Sequence, residues 1–133
     1  SNVMKGKSDF VPSHRKLDAW KTAIELVKSV YVLTKAFPRE EQFGLVSQMR
    51  RAAVSVPANI AEGAASTSNP EYLRFLGIAR KSLMELDTEI VLSNELGYLE
   101  NIDSIMETWT RTSYLLDGLM KYIRRNDRPR ATF

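Results

Sequence analysis

The sequence predicts an all-α chain folded as an up-down-up-down antiparallel four-helix bundle. Two observations lead there. Apolar residues recur in alternating steps of three and four along four separate segments, which is the spacing of one helix face. The segments are joined by short connections, so neighbours should run antiparallel and close on one core. Runs of β-branched residues are too short to suggest strands. At 133 residues and 44% hydrophobic content the chain suits one domain with a real core. The expected layout is a flexible basic segment over 1–12, the bundle over 13–125 and a basic tail over 126–133.

The first helix is expected from about Ser13 to Ala36. Leu17, Trp20, Ile24, Val27 and Tyr31 form one apolar row. Ala19, Ala23, Leu26, Val30, Leu33 and Phe37 form a neighbouring one. Phe37-Pro38 ends it, because the residue before a proline avoids the α region. The second helix begins between Arg39 and Leu45 and ends near Ser66. Its row Val46, Met49, Ala53, Val56, Ile60 passes Pro57 without losing phase, which favours one kinked helix over two.

The third helix opens on Ser68-Asn69-Pro70-Glu71, a capping box with proline just inside. Tyr72, Leu76, Ala79, Leu83, Leu86 and Ile90 form its core row, and Gly97 stops it, with Tyr98 and Leu99 packing behind. The fourth runs from about Asn101 to Arg125 on Ile102, Ile105, Trp109, Thr112, Leu116, Leu119 and Ile123.

The second helix lacks an ordinary water face. Ala52 to Ala61 is a run of ten residues without a charge. On a wheel, Ala58, Ala61, Ala65 and Val54 share the arc opposite the core with Arg50 and Ser47. A helix apolar nearly all round is usually buried, and a small bundle cannot bury one helix on every side. The remaining burial is expected from further copies of the chain, as a homo-oligomer. A polar stripe of Gln48, Arg51, Ser55, Asn59 and Glu62 flanks the core row. Antiparallel packing about the turn near Ser68 sets Arg51 level with Glu85 and Glu62 level with Arg74. Pro57 frees the carbonyl of Ala53, and Ser55, Asn59 or a water is placed to donate to it. The stripe is read as polar glue for helix register and assembly, not as a catalytic site.

Chemistry is sparse. There is no cysteine, so disulfides and thiolate metal sites are excluded. The one histidine, His14, starts the first helix and is expected to be exposed without a partner. Glu85 with Glu89, Glu100 with Asp103, and Asp103 with Glu107 have helical spacing but read as solvated faces. No phosphate-loop, zinc-protease or nucleophile-elbow motif occurs. Neither an enzyme nor a cofactor is expected. With no apolar signal core and no run long enough for a bilayer, the chain is expected in the cytoplasm, without a membrane partner.

The formal charge of +3 is unevenly laid out. Lys5, Lys7, Arg15 and Lys16 stand near one terminus, and Lys121, Arg124, Arg125, Arg128 and Arg130 near the other. The bundle topology brings both groups to one end as a candidate nucleic-acid patch. Residues 41–120 carry eleven acids against six Lys/Arg.

The runs "LDAWKTAIELVKSVY", "FPREEQFGLVSQMRRAAVSVPANIAEGAA" and "YLRFLGIARKSLMELDTEI" resemble a bacterial family. Its members were first noticed as reading frames in intervening sequences of 23S ribosomal RNA genes, and are sometimes labelled S23. Gln48, Arg50, Arg51, Ala52, Ser55, Pro57, Asn59, Ile60, Ala61, Glu62 and Gly63 carry the resemblance, with Arg80, Ser82, Leu83 and Glu85. It implies an up-down-up-down bundle, a homopentamer round a central opening, and kinship with the accessory protein of diversity-generating retroelements. That relative is basic and works with a reverse transcriptase and nucleic acid. The expected function is a non-enzymatic oligomeric scaffold that binds RNA or a nucleic-acid-handling protein through its basic ends. The alternative is a protein-only adaptor.

Overall fold

The computed structural model describes residues 11–126 and contains four long α-helices, with no strand among the described residues. They are α1 (Asp18–Thr34), α2 (Leu45–Ala64), α3 (Asn69–Glu95) and α4 (Asp103–Arg125). Each helix packs on its neighbours in the chain, and α1 packs on α4 to close the ring, with no diagonal contact. Side-chain pairs give the directions. Ser55 meets Ser82 and Met49 meets Ser93, so α2 and α3 run antiparallel. Trp109 donates to the carbonyl of Leu83, and Asn69 to that of Asn126, so α3 and α4 do too. This is a four-helix bundle.

The expected core rows of α2 and α3 are buried in full: Val46, Met49, Ala53, Val56 and Ile60 against Tyr72, Leu76, Ala79, Leu83, Leu86 and Ile90. In α1 the row Ala19, Ala23, Leu26, Val30 faces inward, while Trp20, Ile24 and Val27 are only half-buried and Tyr31 is exposed. The first helix is shorter than expected. Ser13–Lys16 form a separate 3-10 turn, and Leu17 is extended at φ −75°, ψ 129°. Both helix signals around α3 hold. Ser68 Oγ accepts from the Glu71 amide at 3.3 Å. Gly97 adopts φ +84°, and the Gly97 and Tyr98 amides cap the carbonyls of Asn94 and Ser93. The α4 helix starts at Asp103, whose amide is taken by Asn101 Oδ1 at 2.8 Å.

The α2 and α3 helices approach closely at Gly63. A Cβ there would stand 2.8 Å from the Tyr72 ring and 3.2 Å from Phe75 Cβ. Pro57 lies inside α2, which runs through it as one helix, and its ring is buried. No helix among the described residues is long and apolar enough to cross a membrane.

Candidate functional site

The outer face of α2 carries the most distinctive surface. An open groove of ≈ 690 Å³ follows it, lined by Tyr31, Gln42, Phe43, Val46, Ser47, Arg50, Arg51, Val54, Ser55, Ala58 and Asn59. Phe43, just before the helix, is 96% exposed. No carboxylate lines the groove, but two guanidinium groups do. Arg50 is held in place. Its Nε donates to Thr34 Oγ1 at 3.0 Å, and its guanidinium stacks 4.5 Å from the centre of the Tyr31 ring. Thr34 and Tyr31 sit a full helix away in sequence, so no local spacing announces this anchor.

The polar stripe is only partly knit together. Ser82 donates to Ser55 Oγ at 2.8 Å across the α2–α3 seam. Asn59 Nδ2 donates to the Ser55 carbonyl at 2.8 Å and to Ser55 Oγ at 3.0 Å. The expected bond to the Ala53 carbonyl is therefore replaced. A side chain folding back along a helix reaches the carbonyl four residues earlier, which for Asn59 is that of Ser55.

The expected charge pairs are not made within the chain. Arg51, Glu62, Arg74 and Glu85 are all exposed, as is Gln48. The ion pairs among the described residues are Arg80–Asp117 at 3.0 Å and Arg111–Glu25 at 3.5 Å. Arg74 lies over the Phe75 ring instead. Equal level is not enough for a pair: Arg51 lines the outer groove, and Glu85 stands on the solvent side of α3.

Two single residues also differ from expectation. His14 is half-buried and packs edge-on against Trp20 at 5.3 Å, because the 3-10 turn folds it back over α1. Glu89, read as solvated, is 5% exposed, and its Oε1 is buried without a hydrogen-bond partner among the described residues. Burial, reinforced by the neighbouring Glu85 carboxyl, pushes its pKa up to about 7. The signal in the sequence was its place one residue before Ile90 in the core row, at the edge of the buried arc.

At one end of the bundle, Arg15 and Lys16 join Lys121, Arg124 and Arg125, all exposed. The Ser13–Lys16 turn packs on α1 and α2, and Asn69 ties the start of α3 to Asn126. Asp18, Glu62 and Glu71 belong to the same end. Lys5, Lys7, Arg128 and Arg130, and the expected flexible tails, lie outside the described residues.

A model of the family described as 23S rRNA-intervening sequence protein matches residues 15–118. No curated protein matches the chain.

Proposed function

The chain belongs to the 23S rRNA-intervening sequence protein family, and from that premise we propose a non-enzymatic, self-assembling scaffold that holds RNA at the basic end of its bundle in the cytoplasm. The observation that carries this reading is the meeting of Arg15, Lys16, Lys121, Arg124 and Arg125 at one end. Cations from both ends of the described chain gather where phosphates would meet them together, and assembly of parallel copies multiplies the patch. The outer face of α2, with Phe43 and Val54 exposed, supports self-assembly. The family resemblance makes a homopentamer the form to expect.

Phosphate contacts of this kind release counterions and weaken steeply with salt. The test is binding of structured 23S rRNA fragments at about 50 mM and about 200 mM salt, the range over which several phosphate contacts are lost. Binding should fall with salt, and should fall further for the R124A/R125A variant. Absence of binding at the lower salt overturns the RNA reading. The opposite end carries Glu40, Glu41, Glu95, Glu100 and Asp103 against Lys35 and Arg39, which favours a protein-only adaptor as the second reading. Partners that stay bound after nuclease treatment would support that one.

A further inference from the structure

The C-terminal half of α4 carries more than cations. Tyr114 and Tyr122 are 77% and 60% exposed on its outer side. They stand about 12 Å apart along the helix axis, with Gly118 midway between them. A hollow of ≈ 440 Å³ opens at Gly118, lined also by Tyr114, Leu115, Asp117, Leu119 and Lys121. A Cβ at Gly118 would meet nothing within 4 Å, so packing does not require the glycine. Glycine destabilises a helix interior relative to alanine. What it supplies here is open space beside a ring.

The charge on this face is one-sided. From Thr108 to Arg125 the helix holds Arg111, Lys121, Arg124 and Arg125 against Asp117 alone. Asp117 is taken by Arg80 at 3.0 Å and Arg111 by Glu25 at 3.5 Å. Lys121, Arg124 and Arg125 are left without an acid partner among the described residues. The neighbouring helices do not reverse the balance. Asp18 of α1 is outnumbered by the exposed Arg15, Lys16 and Lys21, and Glu71 of α3 by the exposed Arg74 and Lys81. Glu62 belongs to α2, which makes no contact with α4. Asp103 and Glu107 lie beyond Tyr114, toward the other end of the helix.

We propose that this face holds unpaired nucleotides of the bound RNA, their bases stacked on Tyr114 and Tyr122 and their phosphates on Lys121 and Arg125. The proposal rests on the RNA reading above and names the class of RNA it would take. On a wheel, Lys121 and Arg125 fall within about 20° of Tyr114, so ring and cations share one outward stripe. Sequence-tolerant single-strand binders combine these two parts: an aromatic ring carries the base and a cation follows the backbone. A duplex offers the rings little, since its bases are stacked on one another and it is recognised mostly by shape and backbone. A lone exposed aromatic needs no explanation. Two that bracket a glycine gap beside unpartnered cations share one.

Fluorescence anisotropy of a labelled strand reads the contact. The probes are an oligouridine of about twelve nucleotides and an RNA duplex of the same length, both at about 50 mM salt. The wild type should hold the single strand more tightly than the duplex. Y114A and Y122A should each weaken single-strand binding about tenfold, the scale of one lost stacked base, and leave duplex binding unchanged. Y114F and Y122F keep the rings and should bind like the wild type. R124A/R125A should weaken both probes, because both present phosphates. If the wild type binds neither these probes nor structured 23S rRNA fragments, the RNA reading fails, and this proposal with it. If it binds duplex or structured RNA but not the single strand, the RNA reading stands and the proposal fails. Tyrosine variants that bind both probes as the wild type does, or lose both equally, also overturn it. If Y114A or Y122A lowers the mass in solution, the rings belong to a contact between copies and the proposal fails. Circular dichroism checks that the variants stay helical. Where a tyrosine variant unfolds, G118L reads the same place: the helix has room for its Cβ, and its side chain fills the hollow. It should weaken single-strand binding alone, and unmoved binding in G118L overturns the proposal.

Discussion

The α2 and α4 helices both carry a buried inner row, complete on α2 and broken on α4 by the half-buried Trp109 and Leu119, and they differ further in the charge on their outer faces. Val56 and Ile60 on α2, like Thr112 and Leu116 on α4, are completely buried. Outside, α4 shows Glu107, Thr110, Arg111 and Lys121 to water, with Tyr114 and Tyr122 exposed among them. The α2 helix shows Val54 and Ala58 there, with Phe43 ahead of them. Both helices therefore keep apolar surface outside, set among charges on α4 and free of them from Ala52 to Ala61 on α2. The difference teaches that the inner row reports the fold and the outer row reports what the fold meets.

The comparison has consequences that differ in size. The largest concern the inner rows. I60A and L116A should each cost about 2–5 kcal/mol, measured by urea unfolding, because both delete fully buried side chains. A much smaller loss at one of them would show that the equal burial of these two side chains does not carry equal weight in the core.

Next comes Glu89, which has no counterpart among the inner residues of α4. Its pKa in the folded chain is raised to about 7 from an ordinary 4.5. Below the lower value both states hold the proton, so Glu89 makes no pH-dependent difference. Between the two values the folded chain keeps a proton that the unfolded chain releases, so stability falls as pH rises and levels off above about 7. The scale is about 3 kcal/mol. E89Q should flatten this slope and exceed the wild type in stability at pH 8, while staying close to it near pH 4.5. Equal slopes in the two proteins would show that Glu89 is not the group responsible.

The smallest effect on stability, and the sharpest on the comparison, comes from the outer faces. V54D and T110D replace exposed residues, so each should change unfolding stability by only about 0.5 kcal/mol. Their masses in solution should differ: V54D should dissociate the assembly, and T110D should not. If both variants keep the same mass, the outer face of α2 is ordinary surface after all.

Much of the fold was legible because it depends on neighbours in sequence. The rows of α2 and α3, the Ser68 cap and the Gly97 stop all follow from spacing and backbone preference within a few residues. The break at Leu17 was not legible, since the apolar period runs on through it. The candidate site was legible only in outline. The charge-poor outer arc of α2 was evident, and so was the gathering of cations at one end. The anchoring of Arg50 by Thr34 and Tyr31 was not, because it joins residues from two helices. Nor was the burial of Glu89, whose position at the edge of the core arc admits either water or a neighbouring helix.

The amino-acid sequence by itself determined four amphipathic helices, their order and their inner faces. Periodicity and local capping carry that information, and a proline in phase with its row does not erase it. Only the tertiary structure decided which side chains meet. Arg51 and Glu85 share a level, yet they form no ion pair: Arg51 lines the groove, while Glu85 neighbours the carboxyl of Glu89 on its own helix. Level follows from the length of a turn, but facing depends on how the helices pack together. For the same reason "RRAAVSVPANIAEG" can be read as a helix from its own residues, while the surface it presents to a second copy belongs to the bundle.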